Sequence, residues 1–248
     1  MGYSLPYKDF YRHLAQGKLS GVFSMNEFGR NQDVGESRET LMNGSGLYHW
    51  IEIPTYLNAS SSSSNDTIDG SGAQKIEIHG LDEDYVILNE QVELNGTSTV
   101  TTTNKFFRVN DFQVVQAGSG GVNDGEISLV DANTSDEINN IPSGESKSHA
   151  AVYTIPYDYT GILVGWHGAE RSKQGVTLEL WRNGKYDVFY IDRETVLNGT
   201  EFERNFVVPI GMPAKVDIEI RVTAAQAGAY VTGGFVGYII HDDKLQYY

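Results

Sequence analysis

Between residues 73 and 129 polar and apolar residues alternate in short runs. They read Ala73-Gln74-Lys75-Ile76-Glu77-Ile78-His79-Gly80, then Val92-Glu93-Leu94, Thr99-Val100-Thr101, Phe112-Gln113-Val114-Val115 and Gly125-Glu126-Ile127-Ser128-Leu129. A period of two bounded by Gly, Asn and Asp predicts half-buried strands joined by tight turns. Asn95-Gly96 is a hairpin signal because both residues tolerate positive φ. The pattern restarts at 150–155, 161–166, 176–181, 186–191, 206–208, 215–222 and 229–240, with Asn183-Gly184 as a second hairpin signal. From Lys215 to Val222, Val216, Ile218, Ile220 and Val222 are expected to face inward. Lys215, Asp217, Glu219 and Arg221 are expected to face water.

Only residues 7–17 suggest a helix, entered near Pro6 and left at Gly17, with Phe10 and Leu14 on one face. A helix this short needs a surface to dock on. Residues 18–50 have poor periodicity, with many Gly and Asn and single aromatics, and predict an extended arm. A short strand is expected at Ile51-Glu52-Ile53, stopped by Pro54. The serines 60–64 read as a flexible loop, and the polar stretch 130–144 as a connection between domains. The expected fold class is therefore all-β: two antiparallel β-sandwich or jelly-roll-like domains preceded by an extended N-terminal arm with one short helix. The boundaries are 1–50 for the arm, 51–140 for the first β domain and 141–248 for the second.

Composition narrows the function. The absence of cysteine removes disulfide, thiolate and Cys-zinc chemistry. A formal net charge of −15 repels a phosphate backbone, so direct nucleic-acid binding is not expected. No apolar run is long enough to span a bilayer and the opening residues do not read as a secretory leader, so no membrane association is expected. The six histidines have no metal-ligand spacing, and neither a nucleophile elbow nor a phosphate loop is present. Asp82-Glu83-Asp84 and Asn123-Asp124-Gly125-Glu126 offer oxygens to Ca²⁺ without EF-hand spacing, and acidic surface turns are the plainer reading. With 33 acidic residues, sequence cannot name a carboxylate pair for glycoside hydrolysis. The aromatics near the termini are more informative, because anchors outside regular strands are suited to pockets on a partner or on the chain's own body.

A resemblance spans nearly the whole chain. Gly17-Lys18-Leu19-Ser20-Gly21-Val22, Glu27-Phe28-Gly29-Arg30-Asn31, Ile78-His79-Gly80-Leu81-Asp82, Glu90-Gln91-Val92-Glu93-Leu94-Asn95-Gly96, Arg108-Val109-Asn110 and Ala151-Val152-Tyr153-Thr154-Ile155-Pro156 resemble, in order and spacing, a family of tailed-bacteriophage virion structural proteins of environmental and marine type. Where typical members have Lys-Phe-Gly-Arg-Asn-Pro, this chain has Glu27 and Gln32 at the ends of the motif. The resemblance implies a non-enzymatic component of the virion, made in the host cytoplasm, either decorating the capsid or placed at the neck or collar. Its partners would be major capsid, portal, neck or tail proteins and further copies of itself, a trimer being favoured. The residues expected to anchor the arm to a partner are Tyr7, Phe10, Tyr11, Leu14, Phe23, Phe28, Arg30, Tyr48 and Trp50. The alternative is a host-surface glycan-binding module of a tail fibre or spike, with exposed aromatics near the 118–126 loop or the serine loop as its platform.

Overall fold

The computed structural model describes residues 7–183, 188–196 and 199–247. Among the described residues one α-helix, α1 (Tyr7–Ala15), precedes sixteen strands, and a 3-10 helix (Asp242–Tyr247) follows them. In chain order these are β1 (Val22–Val34), β2 (Glu39–Thr40), β3 (Leu57–Ser61), β4 (Ala73–Leu81), β5 (Ile87–Glu93), β6 (Val100–Thr101), β7 (Arg108–Ala117) and β8 (Ile127–Asp131). They continue with β9 (Glu137–Ile141), β10 (Val152–Thr154), β11 (Tyr159–Glu170), β12 (Val176–Asn183), β13 (Phe189–Val196), β14 (Glu201–Met212), β15 (Asp217–Ala224) and β16 (Ala229–His241). Every pairing is antiparallel, and the strands form four small sheets. Two of them, ordered β1-β16-β11-β14 and β10-β15-β12-β13 with β2 on β15, enclose one hydrophobic core. The other two, β6-β3-β8-β9 and β5-β4-β7, surround a second. The first core holds Leu163, Trp166, Leu178, Ile218, Ile220 and Phe235; the second holds Leu57, Ile76, Ile78, Phe106, Phe112 and Leu129. Burying each such side chain contributes about 1.5–3 kcal/mol. The molecule is all-β and β-sandwich-like.

The expected arm does not stand apart from the sheets. Residues 22–34 form a strand paired with β16 from Val22↔Ile240 to Val34↔Ala229, and Met25, Val34 and Leu41 lie in the first core. Its periodicity looked poor because buried positions are filled by Gly29 and Asn31 rather than by large apolar residues. Gly29 is required there: a Cβ would sit 2.1 Å from the carbonyl oxygen of Leu41 and 2.9 Å from Ala151. Helix α1 ends as read. Gly17 has φ +63°, its N–H donates to Leu14 O, and Lys18 N–H donates to His13 O, a Schellman ending. The helix docks on the chain's own sheet, where Phe10 meets Tyr238 at 5.0 Å and Leu14 joins Leu19, Val22 and Ile240.

Four further expectations change. Ile51–Ile53 is not a strand, since Arg108 takes the Ile51 carbonyl at 2.9 Å in place of a neighbouring strand. The stretch 130–144 holds the hairpin of β8 and β9, closed at Asp131, whose carboxylate accepts Asn133 N–H at 2.7 Å. Its polar look comes from buried, hydrogen-bonded Asn139 and Asn140. Of the serine run, Ser60 and Ser61 belong to β3, and the buried Ser61 hydroxyl donates to Asp66 at 2.5 Å. Glu219, expected to face water, is buried, and Thr40, brought beside β15 by β2, donates to its carboxylate at 3.0 Å. Asp217 and Arg221, also expected to face water, are largely buried, Asp217 on Arg108 and Arg221 on the Trp181 ring; the inward positions of β15 are as read.

The first hairpin signal marks a turn. Gly96 has φ +59° in a tight turn bridged Asn95↔Ser98, although the flanking strands pair elsewhere: β5 with β4, and β6 with β3. β12 and β13 pair as a hairpin down to Asn183↔Phe189; Gly184 lies outside the described residues.

Candidate functional site

The two cores meet along β7 and β10, and polar contacts tie the seam. Arg108 makes a bidentate contact with Asp217, Nε–Oδ1 3.0 Å and Nη2–Oδ2 3.1 Å, while Thr154 donates to the same carboxylate at 2.6 Å. The guanidinium also stacks near Trp50, Tyr85 and Phe107, with Phe107 nearest at 4.2 Å. Two residues further along β7, Asn110 accepts Thr154 N–H at 2.9 Å, and Phe112 N–H donates to the Ser148 hydroxyl at 3.1 Å. A planar, fully bonded arginine fixes orientation as well as distance, so the seam joins the cores in one defined arrangement.

Beside this seam opens a cleft of about 260 Å³, lined by Phe23, Glu27, His79, Asn110, Asp111 and Tyr153 among others. The pairing registers bring these groups together: β1 carries Glu27, and His79 and Asp111 sit opposite each other on β4 and β7. His79 Nδ1 lies 2.5 Å from Asp111 Oδ1, and Nε2 lies 3.0 Å from Glu77 Oε2; Lys147 Nζ lies 3.1 Å from Asp111 Oδ2. Burial, and then the Asp111 charge, push the Glu27 carboxyl up to about 8, against the opposing pull of Lys147 and His79. Burial also works against ionising Asp111, but the His79 bond and the Lys147 charge outweigh it and hold the group below the usual carboxylate range. The bond to Asp111 in turn raises His79. Burial pushes the Tyr153 phenol up.

At neutral pH the cleft therefore holds a protonated Glu27 beside an ionised Asp111. Two carboxyls driven apart in this way resemble an acid–base pair. Here the ionised member is already bound to an imidazole and an ammonium, so the arrangement acts as a fixed charge network beside one proton donor. Sequence could not have named Glu27, because the signal lies in its pairing with a strand some two hundred residues away.

The acidic turns considered for calcium are engaged locally. Asp82 accepts Asp84 N–H and Val86 N–H at 2.9 Å each, and Asp124 accepts from Ser63 and Asn65. Among the described residues no three His, Cys, Asp or Glu side chains come together to hold a metal. The loops considered as a glycan platform expose Ile68 and Val122 but contain no aromatic residue. Buried Asp66 and Asn123 pin them: Asp66 accepts Ala73, Asp124 and Gly125 N–H, and Asn123 accepts Glu145 and Ser146 N–H.

Eight of the nine anchoring candidates fall into three groups. Phe10, Tyr11 and Leu14 lie against the outer face of β16 and its neighbours; the side chain of Tyr7 lies outside the described residues. Arg30, Tyr48 and Trp50 serve the interior. Arg30 pairs with Glu145, the Tyr48 hydroxyl donates to Val109 O at 2.8 Å, and the Trp50 ring meets Tyr48 at 4.8 Å. Phe23 and Phe28 remain exposed on β1, beside Tyr159 and His149 respectively.

No family model matches this chain, and no curated protein is similar to it in sequence. Among solved structures it is similar to that of the Gt strain of infectious bursal disease virus, at 10% identity and a TM-score of 0.24, covering 94% of this chain and 78% of that one. It is also similar to the VP2 subviral particle of the same virus, at 13% identity and a TM-score of 0.24, covering 96% and 79%. At that TM-score the likeness carries no weight for fold or function.

Proposed function

We propose that the protein is a non-enzymatic structural component of a tailed-phage virion, attached to the capsid or the head–tail neck through its N-terminal region, with its two β bodies projecting outward. The seam carries this reading. Arg108–Asp217 and Asn110–Thr154 tie the two cores together through oriented bonds, which suits a rigid spacer. The charged groups of the adjacent cleft are bound mainly to one another. The family resemblance supports the same reading.

Because β1 belongs to the sheet, attachment falls to α1, the residues before it and the exposed rings of Phe23 and Phe28. In this reading 51–140 and 141–248 approximate the two bodies, the latter completed by β1 and β2. Purified particles of the source phage, examined by mass spectrometry and by gold-labelled antibody to the intact chain, should carry many external copies. Recovery of the chain from infected-cell lysate but never from particles would overturn the proposal. A saturable hit on a glycan array would favour the host-recognition alternative.

A further inference from the structure

The first core ends on one side in two edge strands, β13 from one sheet and β14 from the other. They approach each other at one point, where Arg204 Nη1 lies 2.8 Å from Glu194 Oε1. Within the core Gly168 faces Leu178, since a Cβ on that glycine would lie 2.9 Å from Leu178 Cδ2. Gly168 pairs with Phe202, and Leu178 with Glu194. Moving from that level, Leu163 reaches Ile210 on β14, and Asn183 reaches Phe189 on β13. Residues 189–191 therefore stand level with residues 206–210.

At this level β14 leaves the ladder. Between the pairs Gly165↔Asn205 and Leu163↔Ile210 it places Phe206, Val207, Val208 and Pro209 opposite the single residue Val164. Val207 is fully exposed and Val208 is 78% exposed; Val188, Phe189, Tyr190 and Ile191 are each about half exposed. Phe189 and Ile191 share the outer face with Trp181, so the surface turned toward the bulge is made by Val188, Tyr190, Val207 and Val208, about 400–500 Å², the size of the largest apolar patch on a typical monomer.

Charge selects the occupant. Residues 188–191 and 206–211 contain no charged side chain, in a chain with 33 acidic and 18 basic residues. A basic partner would be drawn to the acidic surface elsewhere. Two copies that each carry −15 repel one another over most of their surface, and this strip lets them meet without opposing charges. Pro209 and the bulge discourage open-ended strand addition along β14, which favours packing of side chains in a closed assembly.

We infer that the strip formed by Val188, Tyr190, Val207 and Val208 is the surface through which one copy of this chain binds another. The inference deepens the virion reading and rests on it for its purpose. The test is sedimentation velocity on the intact chain at micromolar concentration, comparing wild type with the double variant Val207→Asp, Tyr190→Asp. The wild type should sediment as an oligomer, and the variant should weaken self-association about 100-fold with an unchanged far-UV circular dichroism spectrum. Phe23→Ser, on the opposite edge of the sheet, should leave the oligomer intact.

A monomeric wild type, or an oligomer that survives the double substitution, would overturn the inference. So would a saturable glycan-array signal lost in the same variant, which would give the strip to a carbohydrate. A monomer that still decorates particles would sink this inference and leave the virion reading standing. An oligomer never found on particles would do the reverse.

Discussion

Gly29 on β1 and Gly211 on β14 stand at opposite edges of one four-stranded sheet, in opposite surroundings. A methyl group at Gly29 would run into the Leu41 carbonyl and Ala151, whereas at Gly211 it would meet nothing within 4 Å. The β1 edge is overlaid by residues 145–151: Arg30 N–H donates to His149 O, Arg30 pairs with Glu145, and Phe28 lies on His149. The outer edge of β14 has no strand partner among the described residues, and Val207 and Val208 on it face water. An unpaired edge invites association, so a chain that covers one edge and leaves the other bare has made one of them available for contact.

The comparison breaks most readily at Gly29. Gly29→Ala must displace backbone on the covered edge, and we expect a loss of about 3–5 kcal/mol in urea unfolding, or failure to fold. A loss below about 1 kcal/mol would mean that the residue 41 crossing is not held against β1.

Next in size is a pH effect at Glu27, on the same strand. Its carboxyl is raised from 4.5 to about 8 in the folded chain, so between those values the folded state keeps a proton that the unfolded state has released. Stability from this group therefore falls as pH rises from about 4.5 to about 8 and is level above that. After allowance for its partial exposure, the fall should be on the order of 2–3 kcal/mol. Glu27→Gln should flatten that slope; parallel declines in wild type and variant would remove Glu27 as the cause.

How much of this edge was legible beforehand differs residue by residue. The strands β11, β12, β15 and β16 were readable because Val, Ile and Leu alternate with polar residues over a buried face. β1 was not, because its inward positions are Gly29 and Asn31 and its partner β16 begins nearly two hundred residues later. Local periodicity reports which side of a strand is apolar and says nothing about which distant strand it meets. Glu219 is missed for a related reason: alternation places it outward, but Thr40, brought beside β15 by β2, donates to its carboxylate. The seam residues Arg108 and Asn110 were visible only as part of the family-like motif, since a bidentate contact with Asp217 is a product of the fold. The strip on β13 and β14 escaped notice because each half, taken alone, reads as an ordinary strand.

Arg30→Met tests whether the overlay on β1 depends on its ion pair. Arg30, Glu145 and His149 are all largely buried, and His149 Nε2 lies 2.8 Å from Glu145. Removing the guanidinium should cost about 1–2 kcal/mol. Burial and then the Arg30 charge hold His149 below its ordinary value, against the pull of Glu145. The variant should therefore titrate His149 at higher pH by NMR. An unchanged His149 titration would place Arg30 too far away to matter.

The smallest expected effect is the most telling. Gly211→Ala adds a methyl group to the bare edge at a position that lacks neighbours and is not held at positive φ. Losing a glycine from the unfolded ensemble favours folding slightly, so stability should stay level or rise, within about 0.5 kcal/mol. If the edge is free in the monomer and occupied only by a second copy, the methyl group should be silent in unfolding of a dilute monomeric form. It should be felt in the sedimentation of the oligomer, because Gly211 adjoins the strip. A large loss of monomer stability would show that β14 packs against its own chain, and the contrast between the two edges would disappear.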